Sequence, residues 1–453
     1  YAAPHLSIQQ SPTQAQSRDA RSIRPRWAAA SSQATVEPNG IATAPLSTKD
    51  KVSTGRRTSG IQFPAMRLPV VDQSLTLPGV RAGFETGPKS IGAVRVLRIS
   101  VTDRCNFRCL YCMPEEGVRW LPREEILGFE EICDVVRSAV EVHGIRRFKL
   151  TGGEPTVRHG LVDLVAMLRR IPGVEDLSLT TNGQRLTELA GPLREAGLDR
   201  VTVSIDSLRP ERFRRITRTG DLALVLRGLD RCEEVEFPSL KINVVTMRGT
   251  NDDELADFAR LSLTRKLTMR FIEYMPLGDA ALLHLDGTGG APESAAHGRG
   301  AHATVATDEI GPAGGCGAQD RGSESLIPEA EVRGRIENEL GPLLPVDRGS
   351  EPGVGPANVY RLALGTPRGR IGFISAMSAP FCATCNRLRL TANGVLRSCL
   401  FEGGEVDIRP MLRSARDAGP RRLAVAQAMA DCVRLKPDVH SRHGNEQMSR
   451  IGG

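Results

Sequence analysis

Short β-branched runs alternate with helical patterns between residues 93 and 274, and this alternation constrains the fold more than any other feature of the chain. The strand-like runs cover residues 93–100, 146–152, 174–180, 199–205, 240–245 and 267–274. The helical patterns between them cover residues 123–143, 161–170, 187–196, 222–234 and 252–261. A repeated strand and helix is typical of a parallel sheet, open or closed as a barrel. We therefore predict an α/β fold with its functional residues at the carboxyl ends of the strands.

The first 90 residues have a different composition from the rest of the chain. Ser, Ala, Pro and Gln dominate residues 1–90 without apolar periodicity, which predicts a disordered segment. The first 36 residues contain four arginines, six serines and one acid, Asp19. This Arg-rich, Ser-rich and acid-poor pattern resembles an organelle transit peptide and predicts the mitochondrial matrix. The alternative is a merely disordered tail on a cytoplasmic protein.

The remaining boundaries follow from changes in periodicity. Residues 91–277 carry the strand and helix repeat, and residues 278–326 interrupt it with Gly, Ala, His, Asp and Ser, which predicts a flexible insertion. A helix over 328–340 follows, then strand-like runs that begin near residues 358, 370, 387 and 395, and then a helix over 422–434. Since no helices separate these runs, residues 327–453 are predicted to form a separate small α+β unit.

Composition narrows the functional classes only a little. No run of about 18 apolar residues occurs, so no membrane span is expected. The net charge of +7 favours an anionic partner. Disulfides are typical of small secreted chains, whereas this chain has 453 residues and clustered cysteines. Metal or redox chemistry in a reducing compartment is therefore the better interpretation of its ten cysteines.

The first cysteine triplet, Cys105, Cys109 and Cys112, follows the first predicted strand. Three thiolates on a [4Fe-4S] cluster leave one iron open to another ligand. A zinc knuckle is the alternative, but it needs a nearby fourth Cys or His, and the next His is His143 on a predicted helix. The CxxxCxxC spacing with Tyr111 before the last cysteine resembles the radical S-adenosylmethionine (SAM) superfamily. In that superfamily SAM binds the open iron, and the segment TGGEP (151–155) resembles the SAM motif.

The second triplet, Cys382, Cys385 and Cys399, again supplies three thiolates. Arg387 and Arg389 follow at alternate positions, which share one face of an extended segment. Guanidinium groups bind phosphate in a bidentate manner. These residues predict a second open cluster with the substrate bound beside it. A structural zinc ribbon or a closed electron-relay cluster is the alternative.

Both triplets, the CNRLR segment (385–389) and the terminal Gly452 and Gly453 together closely resemble the GTP 3',8-cyclase family of molybdenum cofactor biosynthesis. The resemblance runs from about Arg98 to the last residue. It implies an incomplete (β/α)6 TIM-type barrel with a C-terminal α+β extension that carries a second Fe-S cluster. It also implies two [4Fe-4S] clusters, SAM, and conversion of GTP to (8S)-3',8-cyclo-7,8-dihydroguanosine 5'-triphosphate.

The resemblance assigns roles to individual residues. It implies that the first triplet holds the SAM cluster and that the second triplet holds the other cluster. The residues implied at SAM are Tyr111, Gly153, Ser204 and Met275. Those implied at GTP are Arg98, Lys149, Thr180, Lys241, Arg387 and Arg389, of which the last two, with the first triplet, are also candidate catalytic residues. Lys149 stands where the family commonly has Arg, and the insertion after Asp279 also departs from the family pattern.

The implied partners are GTP, an external electron donor and a downstream cyclic pyranopterin monophosphate synthase. A homodimer is compatible with the resemblance, and neither a membrane nor a nucleic acid is expected. Two other functions stay open at this point. One is another radical SAM enzyme with an auxiliary cluster, and the other is a zinc-dependent nucleic-acid-binding module.

Overall fold

The structure is a computed structural model that describes residues 87–277, 325–347, 355–401, 404–414 and 417–440, together with Met448. The expectations for residues 1–86, for nearly all of the insertion and for the two terminal glycines lie outside these described residues. Over the described part of the chain, none of the helices is long and apolar enough to cross a membrane.

Six parallel strands lie side by side in sequence order and form the centre of one sheet. They are β1 (Val96–Ser100), β2 (Arg147–Thr151), β3 (Asp176–Thr181), β4 (Arg200–Ser204), β5 (Ser239–Thr246) and β6 (Thr268–Glu273). Each predicted strand is confirmed, with its bounds shifted by three residues or fewer. The parallel series therefore confirms the predicted α/β class.

Helices connect these strands. They are α1 (Phe129–His143), α2 (Leu161–Arg169), α3 (Leu186–Glu195), α4 (Pro210–Thr217), α5 (Leu222–Glu234) and α6 (Leu255–Thr264). The sequence predicted all of them except α4, whose apolar stripe is short. Only Phe213 and Ile216 of that helix contribute large buried apolar side chains, and four of its eight residues are charged. Its start at Pro210 is the local signal that could have revealed it.

The C-terminal region contains α7 (Glu329–Leu340), β7 (Leu343–Pro345), β8 (Asn358–Leu362), β9 (Arg370–Ile374), β10 (Arg387–Leu390), β11 (Val395–Arg397), β12 (Glu405–Asp407), α8 (Arg409–Leu412) and α9 (Ala418–Arg434). Its strands extend the central sheet at both edges. The order is β12-β11-β10-β1-β2-β3-β4-β5-β6-β9-β8-β7. Because β10 pairs in parallel with β1 and β9 with β6, the expectation of a separate α+β unit was wrong. The region is an extension of the sheet.

Successive side chains of the central strands point to opposite faces, as a pleated strand requires. One face is apolar and packs in the main core, with Leu97, Phe148, Leu179, Val203 and Ile242 buried. The other face carries polar and charged side chains at the alternate positions. The sheet thus packs its apolar face against the helices and presents a charged face to a cavity.

Candidate active site

A cavity lies against the charged face of β1 to β6. Its volume of about 310 Å³ is within the usual range for small-molecule sites. Residues from β1 to β6, from the first cysteine loop and from β10 line it. The site residues predicted from sequence that line it are Arg98, Cys105, Cys109, Tyr111, Cys112, Lys149, Gly153, Thr180, Ser204, Lys241, Met275, Arg387 and Arg389. Folding therefore brings the implied SAM and GTP residues into one cavity.

The second triplet does not line this cavity directly. Asn386 and Leu400, which are neighbours of Cys385 and Cys399 in the sequence, do line it. The second cysteine loop therefore lies next to the cavity.

The first cysteine loop is stabilised by a tight turn and by the end of α4. The carbonyl of Cys109 accepts hydrogen bonds from the backbone of Cys112 and of Met113, both at 3.0 Å. The backbone N–H groups of Arg108 and Leu110 donate to carbonyls of α4 at 3.0 and 2.9 Å. The helix that the sequence did not reveal is thus the element that supports this loop.

The glycines of the TGGEP segment allow two loops to pair through their backbones. Gly153 donates to the carbonyl of Thr102 at 2.8 Å, in the loop that leads to the first triplet. A Cβ at Gly153 would lie 2.4 Å from the carbonyl oxygen of Asp103, and one at Gly152 would lie 2.6 Å from that of Thr102. Any side chain there would force the two loops apart.

Glu154, in the same segment, uses its carboxylate mainly to hold neighbouring loops. Oε1 accepts from the backbone and the hydroxyl of Thr156 at 3.0 and 2.5 Å and from Thr181 Oγ1 at 2.6 Å. Oε2 accepts from the backbone of Asn182 at 2.6 Å. Burial raises the pKa of this carboxyl. Glu154 therefore fixes the end of β3 against the SAM-motif segment.

Asp206 orients Tyr111 beside the first triplet. Its Oδ2 accepts from the Tyr111 hydroxyl at 2.7 Å, and its Oδ1 accepts from the backbone of Val245 at 2.8 Å. Burial raises the pKa of Asp206 to about 6. The sequence analysis did not assign this residue, although its position just after Ser204 at the end of β4 is the signal that could have found it.

The donor set of the first triplet fits an iron–sulfur cluster. Burial raises the pKa of Cys105 to about 12, and burial followed by the nearby Cys112 and Asp206 raises that of Cys109. Such thiols ionise only beside a compensating positive charge, which bound iron supplies. Across the described ranges, no three His, Cys, Asp or Glu side chains converge as a single metal ion requires. Three thiols in one loop match the thiolate ligands that iron–sulfur clusters use.

Positive charge is concentrated on the charged face of the sheet, in Arg98, Lys149, Lys241, Arg270, Arg387 and Arg389. Glu154 and Asp206 are the carboxylates of the described chain that line the cavity, and both belong to the end near the first triplet. Burial, and then repulsion by Arg270, lowers the pKa of Lys241 to about 7. Burial also lowers the pKa of Arg389 to about 10. Cations crowded in this way favour a ligand with several negative charges.

Hydroxyl groups on the middle strands connect two of these cations. Lys149 Nζ donates to Thr180 Oγ1 at 3.0 Å and to Thr202 Oγ1 at 3.4 Å. Arg270 Nη2 donates to the same oxygen of Thr202 at 3.3 Å. The sequence analysis missed Thr202 and Arg270. The available signal was strand alternation: Thr202 lies two residues before Ser204 on β4, and Arg270 is a charged residue between apolar neighbours on β6.

The second triplet is anchored by the C-terminal segment. Cys382 begins a one-turn 3-10 helix, and the backbone of Cys385 donates to the Cys382 carbonyl at 3.1 Å. Burial raises the pKa of Cys382, with further contributions from Cys399 and Cys385, so the three thiols share one neighbourhood. Lys436, which sequence reasoning missed, is buried and donates to the Cys385 carbonyl at 3.2 Å. Burial raises the pKa of Cys385, but Lys436 and Arg387 outweigh it and lower the pKa overall.

Glu273, the last residue of β6, holds the loop before the second triplet. It is 3% exposed, and its carboxylate accepts from the backbone of Met377 and of Ser378, both at 2.8 Å. The Ser378 hydroxyl also donates to it, as does the backbone of Glu329 at 3.1 Å. One buried carboxylate thus joins β6, the start of α7 and the loop before the second triplet.

Two family models and several curated proteins match this chain. Residues 99–262 match the model of the Radical SAM superfamily, and residues 309–442 match Molybdenum Cofactor Synthesis C. The chain is 43% identical over 364 residues to the GTP 3',8-cyclase of Pelotomaculum thermopropionicum, covering 80% of this chain and 98% of that one. It is 43% identical over 365 residues to the GTP 3',8-cyclase of Moorella thermoacetica, with the same coverage. Streptococcus suis SuiB bound to S-adenosylmethionine matches with a TM-score of 0.36 and 15% identity, over 42% of this chain and 43% of that one.

The parallel sheet, the first cysteine loop and the family match together define a radical SAM protein. Within that class, the chain belongs to the GTP 3',8-cyclase family.

Replacing Gly153 by Ala should separate the two loops at the first triplet. The added Cβ would meet the Asp103 carbonyl at 2.4 Å, so we expect a loss of about 1–3 kcal/mol in the free energy of unfolding. Iron analysis of the anaerobically reconstituted variant should show about four fewer iron atoms per chain than the parent protein, those of the first triplet. Gly334→Ala is the matched control, since a Cβ there meets nothing within 4 Å. Full iron content in the Gly153 variant would contradict the role of this backbone pairing.

Glu273→Gln should affect the other triplet. In the parent protein the carboxylate accepts hydrogen bonds from two backbone N–H groups of the loop before Cys382. The amide NH2 of glutamine cannot accept them, so this loop should lose part of its anchor. We expect selective loss of iron from the second triplet, measured by iron analysis and by electron paramagnetic resonance of the reduced protein. Exposed Glu195→Gln is the control. Equal loss from both triplets would show a general defect in folding instead.

Proposed function

We propose that this chain is a GTP 3',8-cyclase that converts GTP to (8S)-3',8-cyclo-7,8-dihydroguanosine 5'-triphosphate in the first step of molybdenum cofactor biosynthesis. One observation carries the proposal. A single cavity joins the first cysteine loop at one end to a group of cations without lining carboxylates at the other. The relatives that carry this activity in their names align over 98% of their own length, which supports the same substrate.

In this proposal Cys105, Cys109 and Cys112 hold a [4Fe-4S] cluster, and SAM lies against Tyr111, Gly153, Ser204 and Met275. Together the reduced cluster and SAM supply the radical chemistry that the cyclisation requires. The protein contributes positioning. Asp206 holds the Tyr111 hydroxyl at 2.7 Å, and the loop pairing at Gly153 fixes the cysteine loop over the ends of the strands.

GTP would occupy the cationic part of the cavity. Its triphosphate would be bound by Arg98, Lys149, Thr180, Lys241, Arg387 and Arg389. Binding would relieve the repulsion among these side chains and would position the reacting sugar. Cys382, Cys385 and Cys399 would hold a second [4Fe-4S] cluster beside Arg387 and Arg389, close to the substrate.

The position of the cations also bears on the two alternatives from the sequence. A nucleic-acid-binding module presents its basic residues on an open surface, whereas these residues line a concave cavity. Another radical SAM activity is disfavoured by the match of residues 309–442 to Molybdenum Cofactor Synthesis C.

The proposal extends to partners. An external electron donor would reduce the first cluster, and the product would pass to cyclic pyranopterin monophosphate synthase. The mitochondrial location stays a prediction from the Arg-rich and Ser-rich segment of residues 1–36, and a homodimer is likewise untested.

Incubation of anaerobically reconstituted protein with SAM, dithionite and GTP tests the proposal. We expect the cyclised nucleotide, detected by mass spectrometry, and formation of 5'-deoxyadenosine that depends on GTP. Equal formation of 5'-deoxyadenosine without GTP, together with no cyclised product, would show that the substrate is wrong. As an internal control, Arg389→Ala should lower kcat/KM for GTP by roughly 10- to 100-fold while both clusters remain bound. Loss of iron from the second triplet in that variant would make Arg389 a structural residue.

The affinity for GTP should fall as the pH rises above about 7. Burial and Arg270 lower the pKa of Lys241 to about 7 in the free protein, and a bound triphosphate favours its charged form. Binding therefore takes up a proton, and the affinity should fall by up to about tenfold per pH unit. Calorimetry from about pH 7.5 to about pH 9, where the triphosphate stays ionised, measures this slope. Lys241→Arg should flatten it, and an unchanged slope in that variant would assign the proton to another group.

A further inference from the structure

Lys436 is a buried lysine beside the second cysteine triplet. It lies two residues after the end of α9 and is 4% exposed, and its Nζ donates to the carbonyl of Cys385 at 3.2 Å. None of the roles that the family resemblance implies falls on this residue. Lysine is almost never fully buried unless it is paired, because its ammonium group loses its hydration. The position of Lys436 therefore calls for a compensating negative charge.

Carboxylates do not supply that charge within the described part of the chain. Asp438, two residues further along, pairs with Lys89 at 2.7 Å. Glu405 of β12 pairs with the buried Arg397 at 3.3 Å. Both acids in the surroundings of Lys436 are thus engaged with other cations.

The negative charge available to Lys436 comes from the second triplet. Burial lowers the pKa of Lys436, whereas attraction to Cys385, Cys432 and Cys399 acts to raise it. The ammonium group thus interacts with two thiols that would be ligands of the second cluster. Three thiolates give such a cluster a net negative charge, and reduction adds a further one.

The packing of α9 fixes the position of Lys436. Arg421 Nη2 on α9 donates to Asp134 Oδ2 on α1 at 2.6 Å. Near the end of α9, Cys432 Sγ donates to the carbonyl of Gly404 at 2.9 Å, in the segment that follows the second triplet. The ammonium group is therefore held beside the triplet in advance, and a preorganised charge acts without a cost of reorganisation.

Two arginines also lie near the second triplet, but they face the substrate. Arg387 and Arg389 act on the thiol of Cys385, and both line the cavity, where a bound triphosphate would offset their charges. Lys436 is not among the described residues that line the cavity. Its charge is therefore directed at the cluster whether or not a nucleotide is bound.

We propose that Lys436 raises the reduction potential of the second cluster by stabilising its reduced form. This inference rests on the second cluster of the proposed function and gives Lys436 an indirect role, in which it acts through the cluster. A nearby cation favours the addition of an electron because it attracts the added negative charge. Net charge and solvent exposure are among the factors that set the potentials of such clusters. Burial strengthens the effect, since little water or salt screens the interaction.

A mediated redox titration of the anaerobic, cluster-loaded protein, followed by electron paramagnetic resonance, tests the inference. Lys436→Met removes the charge with little change in volume. We expect the equilibrium constant for reduction of the second cluster to fall by about tenfold, which lowers the potential of a one-electron couple by about 59 mV. Lys436→Gln, which is neutral but can still donate to the Cys385 carbonyl, should give a similar shift. Lys436→Arg, which keeps the charge, should stay close to the parent value.

Lys89→Met is the matched control. Lys89 also contacts the C-terminal segment, through Asp438, but its side chain is 43% exposed, so water and salt screen its charge. This variant should leave both potentials unchanged. The first cluster is an internal reference in every sample, since the first triplet lies near Glu154 and Asp206. Its signal is the one that should change when SAM is added.

Each other outcome overturns the inference. Unchanged potentials in both neutral variants would show that the charge has no effect, and an equal shift in Lys436→Arg would show that charge is not the cause. Loss of iron from the second triplet in both neutral variants would make Lys436 a structural residue. In all three cases cyclisation of GTP by the parent protein would leave the proposed function intact. Absence of a second cluster from the parent protein would contradict the proposed function itself.

Discussion

The parallel pairing of β10 with β1 is the contact on which the arrangement of the site depends. It places Arg389 beside Arg98, although the two residues are far apart in the sequence. The same pairing brings together the two cysteine loops, because the first loop follows β1 and the second loop includes the residues just before β10. At the opposite edge, β9 pairs with β6 and brings Gly372 under the side chain of Arg270. Backbone hydrogen bonds between distant segments thus assemble one cavity from two matched sequence regions.

Charge inside this cavity is arranged for a ligand rather than for stability. Cations crowd the charged face of the sheet, and burial and mutual repulsion lower the pKa of Arg98 and Lys149. The buried carboxylates have a structural role. Glu154, Asp206 and Glu273 each lie at or just beyond the end of a strand, and each accepts hydrogen bonds from backbone N–H groups of a neighbouring loop. The acids therefore position the loops, while the cations line the cavity in which an anionic substrate would bind.

Several parts of the fold and the site could be predicted because they are local in the sequence. Strand bounds followed from β-branched runs, and cluster ligands followed from cysteine spacing. The helix α4 was missed because only a few of its side chains reach the core. Asp206, Thr202, Arg270 and Lys436 were missed for another reason. Each gains its role from a partner on a different element, such as Tyr111 for Asp206 and the Cys385 carbonyl for Lys436.

The sequence by itself determined the strand and helix series, the two cysteine triplets and the family to which the chain belongs, because these depend on short-range periodicity and spacing. Only the tertiary structure decided that the C-terminal strands join the same sheet and that the glycines of the TGGEP segment serve a backbone pairing between loops. Strand pairing and register bring together residues that are distant in the sequence, and no local pattern encodes which residues will meet.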